Sequence, residues 1–244
     1  QMRVLIGILT LPDRFQERDL LRLVYGTQSP VGVRVDVRFV LCNVTDEDHK
    51  ILVGLEIMRY ADIIILNCRE NMNGGKTYTF FSSLPRIFGS DPYDYVMKSD
   101  DDTYFRLQNL VDSLKPLPKE DLYYGFVIPC NSMNPFKYYM SGMGYLITWD
   151  IVEWISVSDI PKKYLTGSED KVFGKWISKG HRGRNRYSAK WSMYDFPEPK
   201  TNCSHELWPE TVGVHLLKNR DKWVRTLRYF NVTKDLKPSK LYHF

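Results

Sequence analysis

Residues 93–105 read YDYVMKSDDDTYF, and they decide the fold. Up to Ser99 the segment has the apolar and aromatic content of a buried strand. Three aspartates, Asp100, Asp101 and Asp102, then follow directly at its carboxyl end. Ligands of open α/β sheets bind at such ends. Three adjacent carboxylates repel one another unless a cation compensates. A hard divalent ion, Mn²⁺ or Mg²⁺, takes oxygen ligands and bridges to a diphosphate. The competing reading is an acidic turn facing solvent, and placement at the end of a buried strand favours the metal. An EF-hand is excluded, because the alternating acids and the central glycine are missing.

Upstream, strands and helices alternate. Residues 3–10 (RVLIGILT) form a nearly continuous apolar run, as expected of a strand covered on both faces. Residues 14–25 have helical spacing, and Gly26 ends them. Residues 33–42 read as a second strand. Residues 46–60 read as a helix whose apolar face is Ile51, Leu52, Leu55 and Met58. A third strand at 62–66 and a helix from Gly75 that stops at Pro85 complete the approach to the aspartates. This alternation predicts an α/β fold with a mostly parallel, doubly wound, Rossmann-like sheet. Downstream, the order is less regular. Strands are expected at 122–128, 138–148 and 212–216, and helices at 150–157, 169–178 and 222–230. With no internal repeat or low-complexity linker, the chain reads as one catalytic domain over 1–244. Its nucleotide-binding half covers 1–105, and a mixed second lobe covers 106–244.

The 244 residues are 43% hydrophobic, enough for a sizeable core and too apolar for wholesale disorder. A net charge of +5 is spread along the chain and gives weak grounds for nucleic-acid binding. The densest basic stretch, Lys179 to Arg186, reads as a solvated loop or as a rim contact for an acidic acceptor. No apolar run is long enough to span a bilayer. Cys42, Cys68, Cys130 and Cys203 match no zinc spacing, and their pairing is open among three possibilities. Sequons at Asn43, Asn202 and Asn231, with the even cysteine count, favour a secretory compartment. The chain is expected to carry its anchor or leader outside this sequence.

Further candidates gain weight only together. Glu169 and Asp170 follow Ser168 at the start of a helix. An N-cap with first-turn acids explains them structurally, and a rigidly mounted general base explains Asp170 functionally. His215, in the apolar segment VGVHL, reads as a core histidine or as a metal ligand. Ser141-Gly142-Met143-Gly144 allows close backbone approach to a ligand or is simply a turn. Arg18 and Arg22 share a helix face, solvated or reaching a donor's phosphates. Lys76 follows Asn73-Gly74-Gly75 at a helix start, where backbone N–H groups favour an anion, though the spacing is not that of a P-loop.

Taken in order, these segments resemble glycosyltransferase family 31, the β1,3-galactosyltransferase and β1,3-N-acetylglucosaminyltransferase group. The matching pieces are RVLIGILT with ERDLLRLVYG at 17–26, LEIMRYADIIIL at 55–66 and NMNGGKTYTFF at 71–81. YDYVMKSDDDTYF, YYMSGMGYLIT at 138–148, GSEDKVFG at 167–174 and VGVHLLK at 212–218 follow. Tyr25, Gly74 and Gly75 depart from the family's usual bulkier residues. The resemblance implies a GT-A fold, a UDP-sugar donor, a glycan or glycoprotein acceptor and Mn²⁺ (or Mg²⁺). It makes Asp102 the principal metal ligand, with His215 and Asp100 beside it, and Asp170 the catalytic base. Arg18, Arg22, Lys76, Asp100 and Asp101 become donor contacts. Ser141, Gly142, Gly144 and Glu169 become the loop lining the transfer site. The implied activity is inverting transfer of galactose or N-acetylglucosamine into a β1,3-linkage in the Golgi lumen. The membrane would be reached only through an N-terminal anchor of type II topology, and no nucleic acid is involved. A retaining transferase, a nucleotidyltransferase and a catalytically silent sugar-binding or scaffold module are the rival readings.

Overall fold

The computed structural model describes residues 1–241. Strands β1 (Met2–Leu9), β2 (Val33–Leu41), β3 (Ile63–Ile65) and β4 (Tyr95–Asp100) run parallel in the order β3-β2-β1-β4. Between them lie helices α1 (Phe15–Gly26), α2 (Glu47–Tyr60) and α3 (Lys76–Phe88). The short β5 (Tyr104–Phe105) and helix α4 (Leu107–Leu114) follow. The large sheet then continues with β6 (Leu122–Ile128) and β7 (Tyr139–Thr148), and β7 lies antiparallel between β4 and β6. Helices α5 (Trp149–Val157), α6 (Asp159–Lys162) and α7 (Glu169–Lys179) lead to β8 (Asn185–Ser188), which closes the seven-stranded sheet alongside β6. Strands β9 (Met193–Asp195) and β10 (Gly213–His215) join β5 in a second, three-stranded sheet, and α8 (Arg220–Tyr229) ends the ordered elements.

The apolar run of β1 has its reason in this arrangement. Val4, Ile6 and Ile8 enter the core shared with α1, α4 and the small sheet, whereas Leu5 and Leu9 enter the core under α3, α5 and α7. Both faces are dry, so no alternation survives. Gly7 interrupts the run because a Cβ there would sit 2.2 Å from the Phe80 ring.

Two local expectations are corrected. Helix α3 passes through Pro85 to Phe88, because burial of Phe80, Phe81 and Leu84 offsets the ~3 kcal/mol cost of an internal proline. Helix α2 is rotated from its expected orientation: Ile51, Leu52, Leu55 and Met58 are exposed, and Val53 is buried instead. Ion pairing sets that rotation, since Glu56 is drawn inward by Arg18 and Arg22. Elements β5, α4, α6, β8 and β9 had no counterpart in the sequence reading.

The cysteines pair as Cys42–Cys68 and Cys130–Cys203. The first bridge ties the end of β2 to the segment after β3, just before Glu70. All three sequon asparagines are exposed.

Candidate active site

A cleft of about 670 Å³ opens at the carboxyl ends of β1 and β4. Asp100, Asp101 and Asp102 line it from below, Ser141 to Met143 and Ser168 to Asp170 from one side, and His215 with Lys218 from another. Of the expected site residues, Lys76, Asp100, Asp101, Asp102, Ser141, Gly142, Glu169, Asp170 and His215 therefore converge on one cavity.

The three aspartates have different partners. Asp101 Oδ2 accepts hydrogen bonds from Thr10 Oγ1 (2.6 Å) and Arg14 Nε (2.6 Å). Burial still leaves its carboxyl above the usual range, against the pull of Thr10 and Arg14. Asp102 Oδ1 lies 3.3 Å from His215 Nε2, and Asp100 Oδ2 lies 3.8 Å from the same atom. His215 Nδ1 pairs with Asp195 Oδ1 at 2.7 Å. Burial lowers the imidazole's pKa, but Asp102 and Asp195 outweigh it and raise the value to about 9. Asp102 is also buried, which raises its pKa, yet His215 and Lys218 hold it below the ordinary range.

This donor set fits a hard divalent cation. The ligand atoms of Asp100, Asp102 and His215 lie within 4.8 Å of one another. Asp195 holds one ring nitrogen of His215, which aims the other at the two carboxylates, as second partners do for metal-binding histidines.

Lys98, one position in from the end of the β4 run that the sequence reading treated only as strand, is fully buried. Its ammonium donates to Asp100 Oδ1 (2.7 Å), Glu169 Oε2 (2.9 Å) and the Gly142 carbonyl (2.8 Å). Tyr145 donates to the other Glu169 oxygen at 2.5 Å. Burial pushes the Glu169 carboxyl up, against Lys98. A Cβ on Gly142 would lie 3.2 Å from Glu169 Oε2 and 3.4 Å from Lys98 Nζ, so a side chain there would crowd this network.

Asp170 sits in the first turn of α7. Ser168, expected as the helix cap, makes no side-chain cap bond; its hydroxyl donates to Asp170 Oδ1 (2.7 Å) instead. The Lys171 N–H also binds Oδ1 (2.8 Å), and the Gly142 N–H reaches Oδ2 at 3.4 Å. Lys76, buried, donates to both oxygens of Glu70 (2.7 Å each) and to the Thr10 carbonyl (2.6 Å). It thereby braces the cleft wall that the first disulfide anchors.

Three expected residues lie outside the cleft. Arg18 is buried against Glu56 and the carbonyls of Leu11 and Pro12, so it holds the wall loop from behind. Arg22 pairs with Glu56, Asp62 and Asp19. Their guanidinium groups are fully engaged by protein acceptors, and Arg14 and Glu17 line the cleft in their place. Gly144 backs onto the Phe105 ring, where a Cβ would lie 2.5 Å from it. The sequence reading missed Thr10, Arg14, Glu70, Lys98, Asp195 and Lys218. Of these, Lys98 had a signal: a charge inside an otherwise apolar strand next to three acids.

The galactosyltransferase family pattern (Galactosyl_T) matches residues 16–134. The β1,3-galactosyltransferase pvg3 of Schizosaccharomyces pombe is 21% identical over 275 residues, covering 89% of this chain and 71% of that protein. β1,3-Galactosyltransferase 6 of Mus musculus is 24% identical over 143 residues, 51% of this chain and 43% of the mouse protein, so less than half of that relative is spanned. Among solved structures, an active-site mutant of LgtC superposes with a TM-score of 0.52 at 12% identity over 98% of both chains. A glycosyltransferase involved in glycosylation of the major capsid of PBCV-1 does so with a TM-score of 0.52 at 11% identity, over 95% of this chain and 100% of that one. At these identities the structural likeness speaks for the fold, which is GT-A. With the galactosyltransferase pattern matched over residues 16–134, a GT-A fold and an acidic cleft, the chain is similar to glycosyltransferases of the family 31 type.

Proposed function

We propose that the chain is an inverting, UDP-sugar-dependent β1,3-hexosyltransferase that moves galactose or N-acetylglucosamine to a hydroxyl of a glycan or glycoprotein. The observation that carries this reading is the placement of Asp170 in the same cleft as the Asp100, Asp102 and His215 cluster. Asp102, with His215 and Asp100, would hold Mn²⁺ or Mg²⁺, which when bound supplies Lewis-acid neutralisation of the departing diphosphate. Arg14 and Lys218 add positive charge to the donor side of the cleft, while Lys76, neutralised by Glu70, braces its wall. Asp170 Oδ2, opposite the Gly142 backbone, takes the proton of the acceptor hydroxyl. That oxygen attacks the anomeric carbon as the bond from this carbon to the diphosphate oxygen breaks. The electron pair leaves with UDP, and a single displacement inverts the anomeric centre. Ser141, Gly142 and Glu169 shape the transfer site between the two centres.

The two disulfides and the three exposed sequons support residence in an oxidising, secretory compartment. The reading places the protein in the Golgi lumen, held by a type II anchor outside this sequence. The test is UDP release across a panel of UDP-sugars, with and without Mn²⁺, and assignment of the product's anomeric configuration. Mn²⁺-dependent release with one hexose donor and a β-configured product is expected. Pyrophosphate release, an α-configured product or unchanged Mn²⁺-dependent UDP binding in an Asp102→Ala variant would overturn the assignment.

A further inference from the structure

A second groove of about 350 Å³ lies beside the cleft, and its lining is one-sided in charge. Lys171 and Lys175 enter it from α7, Lys137 from the segment before β7, and Arg186 from β8. Phe136, Tyr138 and Tyr139 supply the aromatic walls, and no carboxylate lines it. Lys171 and Lys175 stand one helical turn apart, a like-charge spacing that costs helix stability when nothing compensates it. Three exposed lysines elsewhere are paired within their own helices, Lys50 with Glu47, Lys115 with Asp112 and Lys162 with Asp159. Among the described residues, none of the four groove cations has a carboxylate within 4.0 Å. Arg186 donates to the Gly183 carbonyl and lies over the Phe136 ring, while Lys137 lies over Tyr138 and Lys175 over Tyr164.

The groove continues the acceptor side of the cleft. Tyr139 begins the strand that carries Ser141 and Gly142. It packs against α7, where a Cβ on Gly174 would lie 2.3 Å from the Tyr139 Cβ, about one turn from Asp170. Lys171 follows Asp170 directly, and Lys175 stands about 6 Å further along the helix axis. A saccharide whose accepting hydroxyl meets Asp170 would therefore pass its next units over these rings and cations.

We infer that this groove is an acceptor subsite for an acidic glycan, one carrying a sulfate ester or a uronate next to the accepting unit. The inference rests on the transferase reading for its direction, but the groove can be probed without turnover. Aromatic faces pack against the apolar faces of sugar rings, and the lysines and Arg186 pair with the anionic substituent.

The test is calorimetric binding of three probes of equal length: a chondroitin sulfate tetrasaccharide, its desulfated uronate-bearing counterpart and neutral chitotetraose. Either acidic probe should bind about tenfold more tightly than chitotetraose. A preference confined to the sulfated probe assigns the site to a sulfate ester, and a preference shared by both assigns it to the uronate. The preference should fall with salt and disappear in a Lys171→Gln/Lys175→Gln variant. It should persist in a Lys115→Gln/Lys162→Gln variant, which removes the same net charge elsewhere. Equal binding of all three probes, or an equal loss in both double variants, overturns the subsite. UDP titrated into the wild-type protein with Mn²⁺ tests the donor reading separately. UDP binding without probe discrimination defeats the groove alone, and discrimination without UDP binding defeats the donor reading alone.

Discussion

The cleft holds two clusters of adjacent acids, residues 100–102 and residues 169–170, and both divide their work in the same way. In the first, Asp101 is taken up by Thr10 and Arg14, while Asp100 and Asp102 keep oxygens turned toward His215. In the second, Glu169 is taken up by Lys98 and Tyr145, while Asp170 keeps Oδ2 toward the Gly142 loop. Lys98 joins the clusters by bonding Asp100 and Glu169 together. On the proposed mechanism, neighbouring acids of like chemistry become anchor or working group according to the donors that surround them.

The sharpest break of this comparison is at a working acid. Asp170→Asn keeps the shape and the bonds from Ser168 and Lys171 but removes the basic oxygen. Transfer is expected to fall by about 10²–10⁴-fold in kcat, the usual contribution of general-base help, with UDP affinity unchanged. Single-turnover transfer alongside UDP titration checks both. Near-normal transfer would mean that Asp170 is an anchor like its neighbour.

Next in size is the joint between the clusters. Lys98→Met removes the ammonium and leaves two carboxylates facing each other, one of them Glu169 in a buried position. Breaking a buried ion pair at one partner costs about 3–5 kcal/mol. Urea unfolding should show that loss as a lower midpoint with little change in slope. A Lys98→Met protein of wild-type stability would show that the two clusters are independent.

The division between anchors and working groups also marks where the sequence stopped being readable. The parallel half was legible because burial on both faces of β1 and β4 leaves continuous apolar runs, and because the aspartates sit at a strand end whose place in the sheet follows from helix–strand alternation. Helix α4 was equally legible, with Leu107, Leu110, Val111 and Leu114 buried at helical spacing, and was simply overlooked. The rotation of α2 was not, since it depends on Glu56 meeting Arg18 and Arg22 across different elements. The same contacts remove those arginines from the cleft, and nothing in their i, i+4 spacing distinguishes a partner carboxylate from a phosphate. Asp195 reaches His215 only because β9 and β10 pair in register, 20 residues apart in sequence. Such pairings depend on long-range topology, which periodicity does not report.

The smallest predicted effect is at the anchor of the first cluster. Asp101→Asn keeps one accepting oxygen for Thr10 and Arg14, and the expected loss is about 1 kcal/mol, the usual net worth of one hydrogen bond. Burial dominates at this carboxyl and leaves its folded-state pKa above the ordinary value despite Arg14. The sign follows from linkage. The folded state holds the Asp101 proton more tightly than the unfolded chain, so this group's contribution is fullest below about pH 4 and declines as pH rises through the raised value. Asparagine has no such dependence. The stability gap between wild type and Asp101→Asn should therefore narrow as pH is raised, in paired thermal melts across that window. A gap that widens with pH would mean that the ionised carboxylate is the favoured form, and that Arg14, more than burial, decides which acid of the run is the anchor.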